Sequence, residues 1–297
     1  QTFSNAKSTE EIVFTRGTTE SINLVASSFG KTFINKGDEI IVSTLEHHSN
    51  IVPWQLMCED RGAILKVLPV DTNGELIIDE LDNLITSKTK IISIAHVSNA
   101  LGTVNPIKKI IEKAHSKNIP VLIDGAQGIP HNKVDVQSLD CDFYCFSGHK
   151  MYAPMGIGVL YGKKELLNKM VPYQGGGEMI ETVTFEKTTY GKLPFKFEAG
   201  TASVGDAVAL TSAIDFIENI GIENIQKHET ELLLYATEKL LNLGFVDIIG
   251  KANNKAGALS FLLKGVHPYD TGVILDKLGI AVRTGHHCAE PIMDFYN

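Results

Sequence analysis

The sequence predicts an α/β protein built around a doubly wound, mainly parallel sheet of seven strands. Two features indicate this class. Short apolar runs with the length of a buried strand alternate with segments whose apolar residues recur at helical spacing. Glycine, polar and charged residues follow several of these runs directly, at the strand ends where open α/β sheets bind ligands. Buried strands separated by helices favour a parallel sheet that is covered on both faces.

The first half of the chain contains six strand-like runs with helical segments between them. Several runs are nearly continuous in apolar residues, which is typical of strands buried on both faces. Strands are predicted at residues 11–14, 39–43, 63–70, 90–97, 119–123 and 143–146. Helices are predicted at residues 20–29, through Trp54 and Leu56, and at residues 78–85 and 107–116.

A seventh run, from Gly156 to Gly162, resembles the glycine fingerprint of dinucleotide-binding folds but lacks its context. A β-type segment follows these glycines, where the fingerprint requires the start of a helix. We therefore expect an antiparallel edge strand here. Residues 173–200 are expected to be irregular and to form a loop at the active site or at an interface.

After Gly205 the pattern changes to that of a smaller α+β unit. Helices are predicted at residues 206–219, 223–243 and 269–278, and strands at residues 245–249, 258–263 and 280–283. The chain is therefore divided into a large α/β domain, residues 1–205, and a small C-terminal α+β domain, residues 206–297.

Composition excludes several classes of partner. The 297 residues carry a formal net charge of −8 without any run of Lys and Arg with interleaved aromatics, so nucleic acid is not an expected partner. No stretch of about 18 apolar residues exists, so no membrane span is expected. The four cysteines are too few and too irregularly spaced for a disulfide framework, which makes the reducing cytoplasm the expected location. Cys141 and Cys145 are expected to be buried structural cysteines.

An aspartate and a lysine follow two predicted strands and together indicate a pyridoxal phosphate (PLP) site. Asp124 ends the run at residues 119–123, and Lys150 follows the small polar turn after the run at residues 143–146. A carboxylate keeps the pyridine nitrogen of PLP protonated, and a lysine amine forms a Schiff base with its aldehyde. Taken singly, Asp124 is better explained as a helix cap and Lys150 as a surface residue. The pair and its neighbours predict that residues 1–205 bind PLP.

The turn between the first strand and the first helix has the composition of a phosphate site. In residues 16–20 (RGTTE), Gly17 allows close backbone approach, and Thr18 and Thr19 supply hydroxyl groups at a helix N-terminus. The same residues also form an ordinary helix cap. A P-loop is excluded, because its Gly-Lys-Ser/Thr pattern does not occur.

Histidines follow two further strands. His47 and His48 come after the strand at residues 39–43, and His96 ends the strand at residues 90–97. An imidazole at either place is a stacking partner for a planar cofactor ring or a hydrogen-bonded loop residue, and both interpretations stay open. A metal site would need further ligands that the sequence does not supply.

Residues 283–288 (RTGHHC) place a cysteine in a glycine-containing loop beside two histidines. Cationic neighbours favour the thiolate form of a cysteine, which is the nucleophile. A His/Cys metal site is the alternative, but adjacent histidines point in different directions and no partner motif lies nearby. The sequence therefore favours a nucleophile at Cys288 and predicts no metal.

Together these motifs resemble those of class-V aminotransferase-type, fold-type I PLP enzymes, and more narrowly those of cysteine desulfurases of the SufS/CsdA group, which includes selenocysteine lyases. The resemblance spans essentially the whole chain. It rests on RGTTE at residues 16–20, EHH at 46–48, SN at 98–99, DGAQ at 124–127, SGHK at 147–150, GGEM at 176–179, FEAGT at 197–201 and RTGHHCA at 283–289. The last motif separates this group from NifS/IscS-like desulfurases, whose nucleophile lies in a longer loop.

The resemblance implies a set of cofactor contacts. Lys150 would form the Schiff base with PLP, and Asp124 would pair with its pyridine nitrogen. His47 would stack on the ring and take part in catalysis. The remaining implied contacts are Thr18, Thr19, Gln127, Ser147, His149 and, from the other subunit of a homodimer, Thr201.

The resemblance also implies the reaction. Asn99 and Arg283 would orient L-cysteine, Lys150 would remove its α-proton, and Cys288 would accept its sulfur as a persulfide while L-alanine leaves. An acceptor protein of the SufE/SufU type would take the sulfur for iron–sulfur cluster assembly.

Two alternatives remain open at this point. L-Selenocysteine could replace L-cysteine as the substrate. The family also places a helical segment before the position of Gln1 and a carboxylate-binding arginine after Asn297, so the chain could be a catalytically impaired fragment that serves only in dimerisation or docking.

Overall fold

The central sheet has seven strands, as the sequence predicts. A computed structural model of the chain describes residues 1–296, so Asn297 of the predicted small domain lies outside the described residues. The strands are β1 (Ile12–Thr15), β2 (Glu39–Ser43), β3 (Ile64–Leu68), β4 (Thr89–Ala95), β5 (Val121–Asp124), β6 (Phe143–Ser147) and β7 (Gly158–Gly162). Their spatial order is β1-β7-β6-β5-β4-β2-β3. The predicted α/β class is confirmed.

Six of the seven strands point in the same direction. Strands β2 to β6 pair in parallel, and β1 shares their direction because the antiparallel β7 separates it from β6. The carboxyl ends of these six strands therefore meet at one edge of the sheet, which is where ligands bind in this class of fold.

Strand β7 lies inside the sheet, although its sequence predicts a strand at the edge. Its antiparallel direction is confirmed, but its predicted place is wrong, because β1 covers its outer side. A Cβ atom on Gly158 would lie 2.4 Å from the Cα atom of Gly17. The glycine that resembled a dinucleotide fingerprint therefore permits a close backbone contact beside the first turn of the chain.

Helices cover the sheet and continue into the second half of the chain. They are α1 (Thr18–Phe33), α2 (Val52–Arg61), α3 (Leu81–Leu84), α4 (Ile107–His115), α5 (Val136–Leu139), α6 (Lys164–Lys169), α7 (Val204–Ile220), α8 (Ile222–Leu241), α9 (Pro268–Lys277) and α10 (Glu290–Phe295). Every helix predicted from the sequence has a counterpart, although residues 78–80 form a 3-10 turn before the short α3. In residues 1–296 every helix is too short or too polar to traverse a bilayer.

The two faces of the sheet pack into separate buried clusters. Ile41 of β2 belongs to one cluster with Ile110 of α4, while its neighbour Ile40 belongs to the other with Phe29 of α1. This alternation is the two-residue period of a strand. Leu210 of α7 joins the first cluster. The division of the chain after residue 205 stays a prediction.

The region predicted to be irregular, residues 173–200, contains a hairpin. Strands β8 (Ile180–Val183) and β9 (Thr188–Tyr190) pair antiparallel within it. Threonine hydroxyls of Thr182 and Thr189 lie 2.6 Å apart across the pair. The prediction was wrong for these residues because the strands are short and mostly solvent-exposed, so they lack a continuous apolar run.

The prediction of a last strand at residues 280–283 is also wrong. Strands β10 (Val246–Ile249) and β11 (Ser260–Leu263) form a two-stranded sheet, and no strand of the described residues pairs with 280–283. The backbone N–H of Ile280 instead donates to the Leu275 carbonyl at 2.9 Å and closes the end of α9. Helix α10 was not predicted, although Pro291 in its first turn is a helix-start signal.

A buried carboxylate stabilises the opposite edge of the sheet and gives a testable prediction. Asp142 accepts the Val121 N–H at 2.7 Å, and its carboxylate lies 2.8 Å from His115 Nε2 and 3.2 Å from Lys163 Nζ. Replacing Asp142 with Ala should lower the free energy of unfolding by about 2–4 kcal/mol, because a buried N–H, an imidazole and a lysine ammonium group lose a partner. Urea unfolding checks this. The control Asp82→Ala removes an exposed ion pair and should cost less than about 1 kcal/mol; equal losses would contradict the prediction.

Candidate active site

Strand carboxyl ends bring the predicted site residues to one edge of the sheet. Asp124 ends β5, Lys150 lies in the 3-10 turn after β6, and His47 and Asn99 follow β2 and β4. The positive charge of Lys150 contributes to the pKa of both Asp124 and His47, so these three groups lie near one another. Arg283 also lies near His47, where its charge acts on the imidazole. The structure thus assembles residues that are far apart in the sequence.

Asp124 is buried, with 5% of its surface exposed. One carboxylate oxygen accepts the Ala126 N–H at 3.0 Å, and no other hydrogen bond from the described residues reaches the side chain. Burial raises the pKa of Asp124 to about 6, and the Ala126 hydrogen bond and the charge of Lys150 oppose the rise. A carboxylate in this environment has a strong preference for a cationic N–H partner.

His47 caps the 3-10 turn that follows β2. Its Nδ1 accepts the Ser49 N–H at 3.1 Å and lies 2.8 Å from the Ser49 hydroxyl. Because a backbone N–H donates to Nδ1, the neutral ring carries its proton on Nε2. Burial, followed by the charges of His48, Lys150 and Arg283, lowers the pKa of His47. The ring is therefore fixed in orientation and held neutral.

A fully buried glutamate, to which the sequence pattern assigns no role, anchors this turn. Glu46 is 0% exposed; it accepts from the Ser43 hydroxyl, from the Asn50 amide at 2.6 Å and from the Ala95 N–H at 3.1 Å. Burial raises its pKa to about 8. These bonds tie the end of β2 to the end of β4 and so set the position of His47. The adjacent histidines in EHH were the only sequence signal.

Ser147, at the end of β6, and Thr18, at the start of α1, are joined by hydrogen bonds. The Ser147 hydroxyl accepts the Thr18 N–H at 2.8 Å and lies 2.8 Å from the Thr18 hydroxyl. Both side chains are buried, whereas Thr19 in the first turn of α1 and His149 are exposed. The free first turn of a 16-residue helix attracts phosphate. The predicted phosphate contacts of these four residues remain predictions.

The other predicted contacts lie at different depths. Gln127 is half-buried two residues beyond the glycine that follows β5. Thr201 is exposed and lines an open cleft with Arg16 and Glu20 at the start of α1. Its predicted contact across a subunit boundary remains a prediction.

His96 is a buried structural residue. Its Nδ1 lies 2.9 Å from the Tyr144 hydroxyl, its backbone N–H donates to the Asp124 carbonyl at 2.8 Å, and burial lowers its pKa to about 4. A Cβ atom on Gly128 would lie 2.3 Å from the ring. Of the two interpretations left open by the sequence, the geometry supports the hydrogen-bonded one for His96.

Cys288 is the exposed member of the four cysteines, all of which lie in the described part of the chain. Burial raises the pKa of Cys58 to about 11 and that of Cys141 and Cys145 still further, so these thiols are unreactive. The predicted burial of Cys141 and Cys145 is thereby confirmed. Across residues 1–296 no three His, Cys, Asp or Glu side chains are arranged to hold a metal ion.

The loop that carries Cys288 is hydrogen-bonded to the sheet edge. The Asn99 side-chain amide donates to the His287 carbonyl at 2.7 Å, and the His48 N–H donates to the Cys288 carbonyl at 2.7 Å. The backbone of the loop is therefore held beside the strand ends that carry His47 and Asn99. Asn99, predicted from the resemblance to orient substrate, holds this loop in the structure.

Fold and site together define a fold-type I PLP-dependent enzyme. The chain matches the profile of the aminotransferase class-V family over residues 1–297 and belongs to that family. It is 53% identical over 291 residues to a cysteine desulfurase of Synechococcus elongatus, covering 98% of this chain and 46% of the relative. It is 51% identical over 295 residues to a cysteine desulfurase of Cronobacter sakazakii, covering 99% and 72%.

Solved structures agree with these relatives. The crystal structure of the Escherichia coli cysteine desulfurase CsdA superposes with a TM-score of 0.93 at 40% identity, covering 99% of this chain and 73% of that one. The apo cysteine desulfurase of Thermococcus onnurineus NA1 gives a TM-score of 0.92 at 38% identity, covering 96% and 71%. The resemblance to cysteine desulfurases is confirmed.

PLP is the cofactor of this family, and the residues present fit it. Asp124 offers a buried carboxylate with an unpaired oxygen for the pyridine N–H, and Lys150 lies close enough to act on its pKa. The N-terminus of α1 at Thr19 offers a phosphate site. His47 supplies a neutral, fixed ring beside Lys150.

Proposed function

We propose that the chain carries out PLP-dependent cysteine desulfuration, in which L-cysteine becomes L-alanine and its sulfur passes to Cys288. The observation that carries the proposal is the exposed Cys288 thiol on a loop hydrogen-bonded to the sheet edge that holds His47, Asp124 and Lys150. Enzymes of this family that only transfer amino groups need no thiol there. The chain spans about half of one curated relative and nearly three quarters of another, and the activity of the whole protein is part of this proposal.

Each site residue has a separate role in the proposed desulfuration. PLP, when bound, accepts the electron pair left at the substrate α-carbon. Asp124 keeps the pyridine nitrogen protonated, Lys150 takes the α-proton and returns it, and Arg283 orients the substrate. The Cys288 thiolate attacks the substrate sulfur, the carbon–sulfur bond breaks, and the sulfur stays on Cys288 as a persulfide while the carbon skeleton is protonated to alanine.

We further propose a sulfur-acceptor protein, a homodimer and a cytoplasmic location. An exposed persulfide on Cys288 is accessible to an acceptor protein of the SufE/SufU type for iron–sulfur cluster assembly. Val204 and Val208 of α7 and Met155, all exposed near Thr201, suit an apolar contact with a second copy, so we propose a homodimer in which Thr201 reaches the partner's phosphate site. Four free cysteines fit the cytoplasm.

The experiment is peptide mass mapping of the PLP-loaded protein after exposure to L-cysteine. One added sulfur atom on the Cys288 peptide, released together with one equivalent of alanine, is the expected result. The Cys288→Ala control should gain no sulfur. Release of pyruvate or of free sulfide without a Cys288 persulfide would overturn the proposal. A parallel reaction with L-selenocysteine measures which substrate the site prefers.

A further inference from the structure

Two consecutive residues of the nucleophile loop adopt the left-handed backbone conformation. His287 has φ 54° and Cys288 has φ 56°. Neither is glycine, and this conformation costs roughly 1–2 kcal/mol for each residue with a Cβ atom. Such a conformation persists only where surrounding contacts hold it. The contacts that hold this loop therefore decide where the Cys288 thiol lies.

His48 contacts the loop on both sides of the cysteine. Its backbone N–H donates to the Cys288 carbonyl at 2.7 Å, and its side-chain Nε2 accepts the Glu290 N–H at 3.2 Å. The Nε2 contact also satisfies a free backbone N–H in the first turn of α10. His48 thus brackets residues 288–290 with one backbone and one side-chain hydrogen bond.

An exposed ion pair with Glu290 is the competing explanation for the position of the His48 side chain. Its Nε2 lies 3.7 Å from the Glu290 carboxylate, which also lies 3.2 Å from His286 Nδ1. Glu290 and His286 are both more than half exposed, and pairs of this kind contribute little. The hydrogen bond from the Glu290 N–H is the directional contact, so the backbone of the loop is what His48 holds.

The same turn connects the nucleophile to the cofactor side of the site. His47 and His48 are adjacent, with ring centroids 6.2 Å apart, and the turn is anchored below by the buried Glu46. A displacement of this turn would therefore move His47 and the Cys288 loop together.

The geometry points to His48 as a positioning residue that fixes the Cys288 loop, and with it the thiol, over the substrate sulfur. This inference rests on the proposed desulfuration. His48 touches neither cofactor nor reacting atoms; it acts through the backbone of residues 288–290.

Three variants of the PLP-loaded protein test the inference. His48→Leu removes the acceptor, His48→Gln keeps an acceptor at the distance of Nε2, and Glu290→Ala removes only the exposed carboxylate. For His48→Leu we expect about tenfold slower persulfide formation in a single turnover, the factor for one lost hydrogen bond. The KM for L-cysteine and the PLP absorption spectrum should not change. His48→Gln should recover most of the rate, and Glu290→Ala should retain the parental rate.

Amide hydrogen exchange of the peptide covering residues 284–292 gives a readout that does not depend on activity. Exchange should be faster in His48→Leu and parental in His48→Gln and Glu290→Ala. Parental exchange in His48→Leu, or an equal loss of rate in Glu290→Ala, would overturn the inference. If the parent protein forms no persulfide, the proposed function fails, and the exchange experiment still decides whether His48 holds the loop.

Discussion

Lys150→Ala is expected to reduce alanine formation by at least about 10⁴-fold, the scale seen when a central catalytic group is removed. Lys150 lies in the 3-10 turn after β6, and its amine has no hydrogen-bond or ion-pair partner among the described residues. It is thus available both to hold the cofactor aldehyde and to move the α-proton, and one substitution removes both functions. Steady-state alanine release measures the loss, and borohydride reduction followed by peptide mapping measures whether PLP is attached at residue 150.

Lys169→Ala is the matched control. Lys169 ends the short helix α6 and is exposed, so its loss should leave alanine formation and PLP attachment at parental values. A Lys150→Ala protein that still retained PLP through a reducible bond to another lysine would show that Lys150 is not the anchor.

Asp124→Asn is expected to reduce activity by about 10²- to 10³-fold, comparable to the loss of one preorganised electrostatic partner. Asparagine keeps the acceptor for the Ala126 N–H but has no charge to hold the pyridine nitrogen protonated. The affinity for PLP should fall at the same time. Titration with PLP, followed by its absorbance, measures the affinity, and alanine release measures the rate.

The same substitution should make the protein without PLP more stable. Burial raises the pKa of Asp124 from 3.8 to about 6, so the folded protein binds this proton more tightly than the unfolded chain. Ionisation therefore costs stability as the pH rises from about 4 to about 6, and above that range the full cost, about 3 kcal/mol, is present. An asparagine side chain does not ionise, so the stability difference should be small at pH 4 and constant above pH 6.

Urea unfolding of the parent and Asp124→Asn proteins without PLP, between pH 4 and pH 8, shows which of the two is more stable. A parent protein that was the more stable one at pH 8 would contradict the burial argument. With saturating PLP the order should reverse, because only the aspartate gains the pyridine N–H.

Sequence patterns located the strand ends and hence most of the site. Buried strands are continuous apolar runs, so β2, β4, β5 and β6 were predictable, as were the polar residues that follow them. The place of β7 was not predictable, because its outer neighbour β1 lies far from it in the sequence. Residues 280–283 have strand composition but no partner, and pairing decides whether such a run becomes a strand.

Local sequence patterns did not predict the contacts that hold the site residues in place. Asn99 bonds to the His287 carbonyl and His48 to the Cys288 carbonyl, and each pair joins residues that lie far apart in the sequence. The burial of Glu46 could not be predicted from the sequence, because it depends on how β2 and β4 are brought together. The sequence predicted which groups react, and the fold identified the residues that hold them in place.

The pairing of β1 with β7 sets an order of events for a chain leaving the ribosome. Strand β1 has no pairing partner until β7 has been synthesised, because Ile12 pairs with Tyr161. The Gly17 turn likewise cannot reach its final packing before Gly158 is present. Such distant pairing is slow, because a long loop has to be closed first. Residues of β1, which are synthesised long before β7, are thus among the last to be fixed in the sheet. The turn before helix α1 therefore cannot reach its final position until translation has passed β7.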